Sequence, residues 1–160
     1  MADRYAQQTT VPVEKTRMEI ERTLARYGAD AFGYMTAPSK ARLAFRLSGR
    51  HIRFELPLPD PQADEFVYVT QGARGRQRRS EESRARAVEQ ASRQRWRALA
   101  LIIKAKLEAV AAGVTTIEDE FLAHTMLPDG STVGEWAKPQ LEEAYRLGHM
   151  PAQLMLGGPS

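Results

Sequence analysis

Residues 41–57 read ARLAFRLSGRHIRFELP, and this stretch decides the fold. Leu43, Phe45 and Leu47 alternate with Arg42, Ala44 and Arg46, so an extended chain puts the apolar set on one side and the polar set on the other. Ser48-Gly49 is a turn signal. Ile52, Phe54 and Leu56 then alternate with His51, Arg53 and Glu55. Two runs of period two across a short turn predict an antiparallel β-hairpin at about 41–58, with one dry face and one wet face. Pro57, Pro59 and Pro61 close it, because proline has no N–H for the ladder. A hairpin with an apolar face needs helices to cover it.

The flanking sequence supplies them. Val13, Ile20, Leu24 and Tyr27 fall near helical spacing, Pro12 suits a helix start, and Gly28 suits its end. Ala31–Met35 is a short strand candidate before the hairpin. After it, Phe66–Val69 reads as a short edge strand or part of a loop. Residues 71–79 hold two glycines and four arginines, and read as a mobile basic loop. Ser80 then opens a helix expected to run to about Ala112, with an apolar stripe at Val88, Trp96, Leu99, Ile103, Leu107 and Val110. Thr115-x-x-Glu118 and Thr132-x-x-Glu135 have the spacing of capping boxes, and predict two further helices. The first passes through Phe121, Leu122 and Met126; the second reaches about Leu147 and carries Pro139 in its first turns. Trp96 and Trp136 are expected to pack rather than to stack on a ligand. The predicted class is α+β. A flexible arm (1–12) precedes a single domain (13–150), and a flexible tail (151–160) follows it.

The chain has 160 residues and no cysteine, which excludes disulfides, thiolate zinc sites and a cysteine nucleophile. No apolar run is long enough to span a bilayer and none reads as a secretory signal, so the expectation is a cytoplasmic protein without a membrane partner. The net charge of +3 says little, but its distribution is uneven. Nine arginines against three acids give a local net of +6 from Arg74 to Arg97. Two basic residues against seven acids give −5 from Val110 onward.

Guanidinium groups match phosphate oxygens bidentately and stay charged. The predicted nucleic-acid contacts are Arg74, Arg76, Arg78 and Arg79 in the loop, and Arg84, Arg86, Arg93 and Arg97 along the helix. Arg42, Arg46 and Arg53 on the wet face of the hairpin complete the set, with Tyr34 or Tyr68 as a stacking platform. The competing reading makes these arginines solvated or ion-paired surface, and those of the hairpin protection for a sheet edge. Glu120 and His124 share a helix face but amount to half a metal site, and no metal or other cofactor is expected. The nucleophile elbow, Walker loop and dinucleotide fingerprint are absent from the sequence. A metal-dependent nuclease would need carboxylates such as Glu55, Asp60 and Asp64 to converge.

Several stretches also carry a resemblance to a family. Arg95-Trp96-Arg97-Ala98-Leu99 running into Ile103-Lys104-Ala105-Lys106-Leu107-Glu108 is one, and Leu127-Pro128-Asp129-Gly130-Ser131-Thr132-Val133-Gly134-Glu135-Trp136 is another. With Val11-Pro12-Val13-Glu14-Lys15 and Arg26-Tyr27-Gly28-Ala29, they resemble a group of small, uncharacterised phage- and prophage-encoded proteins. That resemblance implies DNA transactions or counter-defence work, and carries over no activity and no functional residue. The function expected is therefore non-enzymatic binding of nucleic acid, DNA ahead of RNA, in phage DNA metabolism. The alternatives are a protein-interaction module or inhibitor of a host defence protein and, behind it, a metal-dependent nuclease. A homo-oligomer is expected if the basic pole of one copy meets the acidic pole of another.

Overall fold

The structure is a computed structural model that describes residues 9–70, 72 and 75–150. The hairpin lies where the alternation places it: β2 (Lys40–Leu47) pairs antiparallel with β3 (Arg50–Pro57), Leu43 facing Phe54 and Phe45 facing Ile52. Ser48 and Gly49 join them with φ of 50° and 74°, the left-handed pair that a tight hairpin turn of matching twist requires. The strand candidate before it is longer than expected. β1 (Ala31–Ala37) pairs with β2 over its whole length, giving a three-stranded sheet in the order β1-β2-β3.

α1 (Val13–Arg26) and α3 (Glu81–Ala111) lie side by side on the apolar face. They run parallel: Gln90 bonds to the Thr9 carbonyl, Arg97 to Glu19, and Tyr27 to Glu108. The core is assembled from Ile20 and Leu24 of α1, Leu43, Phe45, Leu47, Ile52 and Phe54 of the sheet, and Trp96, Leu99, Ile103 and Leu107 of α3. Phe121, the last residue of α4 (Ile117–Phe121), inserts its ring edge-on against Phe45 and Phe54 at 6.0 and 6.2 Å. The architecture is thus α+β, with helices layered on one face of a small antiparallel sheet.

The structure corrects the sequence reading in four places. Residues 64–67 form a short helix, α2 (Asp64–Val67), and the strand begins only at β4 (Tyr68–Thr70). The segment expected to be wholly a basic loop (71–79) is strand over Arg76–Arg78: this β5 pairs with β4, Tyr68 facing Arg78. The cap of α4 is Thr116, whose hydroxyl accepts from the Asp119 N–H, so the cap sits one residue later than Thr115 and does not involve Glu118. Finally, Trp136 does not dock its helix. α5 (Val133–Leu147) starts from the expected Thr132–Glu135 capping box yet has no buried residue, and Trp136 is 52% exposed. The expected arm and tail fall mostly outside the described residues. Among the described residues, no helix is long and apolar enough to cross a membrane.

The C-terminal segment reaches the free side of β3. After a 3₁₀ turn (Leu122–His124), Thr125 bridges to Ile52, and the Met126 N–H donates to the His51 carbonyl at 2.8 Å. His124 stacks on Phe54 with ring centroids 3.9 Å apart. The sheet therefore has one covered edge, at β3.

Candidate nucleic-acid interface

The predicted arginines divide into three groups. Those of the sheet's wet face are held by carboxylates. The Arg42 Nε donates to Glu55 at 2.6 Å, and Lys40 reaches the same carboxylate. The cross-strand register makes this pairing inevitable, because Arg42 lies opposite Glu55. Arg42, first among its causes, holds the Glu55 carboxyl below its ordinary range. Arg46 grips Asp30 through two bonds of 2.8 Å, which lowers the Asp30 pKa. Arg53 is the most committed, with its side chain only 12% exposed. It donates to both Glu135 oxygens and to the Gly130 carbonyl, each at 2.7 Å. This guanidinium ties the start of α5 to the sheet.

The second group lies midway along α3. Arg93 pairs with Glu89 one turn back and lies within 3.5 Å of Gln90. Arg97 donates to Glu19 of α1 at 2.6 Å with its side chain 20% exposed. Arg95 donates to the Pro57 carbonyl at 2.7 Å. Arg97 fastens helix to helix and Arg95 helix to sheet, while Arg93 bonds within its own helix; a phosphate would have to draw Arg93 and Arg97 out of partly buried positions.

The third group is at the β4–β5 hairpin and the first turns of α3. Arg78 is exposed and Arg84 half-buried, and neither forms an ion pair among the described residues. Arg79 is anchored by its backbone N–H to the Val67 carbonyl. Its Nη1 touches Ser83 at 3.5 Å, while its buried Nε finds no partner, an unmet donor on a charged group. Arg76 pairs with Asp64 and lies 3.8 Å over the Tyr68 ring. Arg86 pairs with Glu82, both largely exposed. Exposed pairs of this kind are worth about 0–1 kcal/mol, so the last two arginines exchange readily to another anion. Arg74 lies outside the described residues. A groove of about 520 Å³ lined by Pro61, Glu81, Arg84, Ala85, Val88 and Glu89 adjoins this end.

A second basic place was missed by the sequence reading. Arg22 and Arg26 of α1 and Lys104 of α3 line a groove of about 400 Å³ together with Glu19 and Thr23. The spacing of Arg22 and Arg26, one helical turn, was a visible signal. Lys104 joins them only through the packing of α1 on α3.

The residues considered for metal chemistry are engaged elsewhere. The Glu120 carboxylate and main-chain carbonyl both accept from Lys106, at 3.0 and 2.8 Å. Glu55 is taken by Arg42 and Lys40, Asp60 accepts from the Gln62 N–H, and Asp64 pairs with Arg76. Tyr34 is no free platform either. Its hydroxyl donates to the Arg17 carbonyl at 3.1 Å, the Arg17 guanidinium lies against its ring and that of Trp96, and burial pushes its pKa up to about 12. No protein-family model matches the chain, and neither does any curated protein or solved structure.

Proposed function

We propose that this chain is a non-enzymatic nucleic-acid-binding protein, acting on DNA rather than RNA in phage DNA metabolism. Its contact surface is the β4–β5 hairpin with the first turns of α3. One observation carries the reading: Arg78, Arg79 and Arg84 stand within a short stretch without a carboxylate partner among the described residues, beside the exposed pairs of Arg76 and Arg86. The Tyr68 ring, already carrying a guanidinium, offers a base a stacking surface at the same end. The preference for DNA and the phage setting rest on the family resemblance.

The test is binding to single- and double-stranded oligonucleotides across a salt series, for the wild type and for Arg76→Ala/Arg78→Ala/Arg79→Ala/Arg84→Ala. Each phosphate contact on a duplex contributes about −0.9 to the slope of log K against log salt. Four lost contacts should therefore flatten that slope by about 3.6. Arg42→Ala and Arg46→Ala, on the paired sheet face, should leave it unchanged. Salt-independent binding, or a four-arginine variant that binds like the wild type, overturns the proposal.

One observation favours a second reading, a protein-interaction module directed at a host defence protein. α5 has no fully buried residue and leaves two apolar pairs exposed, Trp136 with Leu147 and Leu141 with Tyr145, and exposed apolar side chains suit an interaction surface. A purified complex that survives nuclease treatment and is lost in Trp136→Ala/Leu141→Ala/Tyr145→Ala would favour it. Loss of binding to oligonucleotides alone would not.

A further inference from the structure

The two edges of the three-stranded sheet are treated differently. The β3 edge is covered by the bridge from Thr125 and the bond from Met126 to His51. The β1 edge has no strand partner among the described residues. Natural sheets protect such edges with charge, proline, bulges or shortness. β1 has none of these. It reads AFGYMTA, and its seven consecutive residues pair with β2 without a bulge. Phe32 and Met35 are 38% and 52% exposed on it.

The hairpin connection fixes which main-chain groups point outward. Ala37 and Lys40 face each other across the two-residue turn Pro38-Ser39, and such a closing pair is hydrogen-bonded. Alternation along the strand then commits the N–H and C=O groups of Ala31, Gly33, Met35 and Ala37 to β2. Those of Phe32, Tyr34 and Thr36 face the open side. The strand is held firmly in place: the Tyr34 ring lies 6.1 Å from that of Trp96, and Arg17 reaches the Thr36 hydroxyl at 3.3 Å.

We propose that β1 is the pairing edge for a second copy of this chain. Two β1 strands join antiparallel about a two-fold axis at Tyr34, making one continuous six-stranded sheet from two three-stranded ones. The strand is self-complementary in this register. Tyr34 faces its own counterpart, and Phe32 of each copy faces Thr36 of the other. All three facing pairs use main-chain groups that have no strand partner among the described residues, at two bonds each, about six bonds in total. On the wet face, Met35 of one copy lies over Gly33 of the other. A Cβ built on Gly33 meets nothing within 4 Å, so the methionine has room. No charged residue falls within the paired strand; the nearest guanidinium, Arg17, belongs to α1 and lies over the Tyr34 ring on the helix-covered side. This interface differs from the head-to-tail meeting of basic and acidic poles expected from charge counts, and it is independent of whether the chain binds nucleic acid.

The experiment is sedimentation equilibrium over a concentration series, with circular dichroism as the check on folding. The wild type should be dimeric. Met35→Lys, a change at an exposed side chain, should be folded and monomeric, whereas Leu141→Lys on α5 should remain dimeric. The chain has no cysteine, so Gly33→Cys/Met35→Cys gives a register-specific readout. The two facing pairs of the dimer bring Cα atoms within disulfide range, and mild oxidation should yield a covalent dimer. A monomeric wild type at its highest soluble concentration overturns the proposal. So does a Met35→Lys variant as dimeric as the wild type, or a double-cysteine variant that oxidises without forming the covalent dimer.

Discussion

Replacing Phe121 by alanine should remove the pin that fastens the C-terminal third of the molecule to its core. The ring is fully buried, meets Phe45 and Phe54 edge-on, and lies 5.9 Å beneath the Lys106 ammonium. Truncating a buried phenylalanine costs about 3–5 kcal/mol, because the surrounding groups close the cavity only in part. A domain of this size is stable by about 5–15 kcal/mol, so the variant should lose a large share of its margin. At about 2–4 °C per kcal/mol, the loss corresponds to a Tm lowered by about 6–20 °C. Phe121→Leu keeps most of the volume but loses both edge-to-face contacts, and should cost about 1–2 kcal/mol. Urea unfolding followed by tryptophan fluorescence suits the measurement, since Trp96 is 3% exposed in the fold and reports burial, whereas Trp136 is already half in water. A loss of less than about 1 kcal/mol for the alanine variant at unchanged m-value would refute the reasoning. The C-terminal segment would then be held by its strand bridge and by Arg53, with Phe121 a bystander.

Two other perturbations test the same junction. Burial against Phe54, aided by the nearby Lys106 and Lys138 charges, holds the His124 pKa below its ordinary value. The unfolded chain, with a histidine pKa of about 6.5, therefore takes up the proton first as pH falls. Stability should be complete above that pH and decline as pH drops through it; His124→Phe should flatten this part of the curve, and identical slopes for the two proteins between neutral and mildly acidic pH would rule the linkage out. Gly134 has no room for a side chain, since an added Cβ would lie 2.8 Å from the Ala123 carbonyl oxygen. Gly134→Ala should lower the thermal midpoint, because overpacking of about 1–3 kcal/mol exceeds the helix-propensity gain of about 1 kcal/mol; a raised midpoint would show that α5 does not rest on that carbonyl.

The parts of this fold that were legible in the sequence are those where one period dominates. The β2–β3 hairpin declares itself through strict alternation and the Ser48-Gly49 turn, and α3 through a stripe repeated over many turns. β1 was seen only in part, because AFGYMTA hardly alternates and owes its length to the partner strand. Phe66 and Val67 are too short a run for periodicity to distinguish helix from strand. β5 consists of Arg-Gln-Arg, with no apolar residue to mark it, and exists as a strand because β4 lies opposite. Trp136 sits in a helix with a well-formed cap, and a cap says where a helix starts, not what it packs against.

The candidate site was legible as a composition but not as a surface, and the reason lies in the lengths of two helices. Local counting gave nine arginines against three acids between Arg74 and Arg97. The acids that neutralise several of the predicted arginines come from elsewhere: Glu19 meets Arg97 across 78 positions, and Glu135 meets Arg53 across 82. Charge counted along a chain therefore overstates the free cation wherever another element lies alongside. α1 is 14 residues long and α3 is 31. They run parallel, with Thr9, ahead of α1, already beside Gln90. Among the described residues, the turns of α3 before Gln90 thus extend past α1, and α2 packs on the same helix. No carboxylate of α1 pairs with an arginine of those turns among the described residues. The arginines without a carboxylate partner among the described residues, Arg78, Arg79 and Arg84, are at that overhanging end. Of the carboxylates at that end, Asp64, Glu82 and Glu89 are spent on Arg76, Arg86 and Arg93, and Glu81 lines the groove beside Arg84. At the groove of Arg22, Arg26 and Lys104 the carboxylates between the two helices are likewise engaged, Glu19 by Arg97 and Glu108 by the Tyr27 hydroxyl.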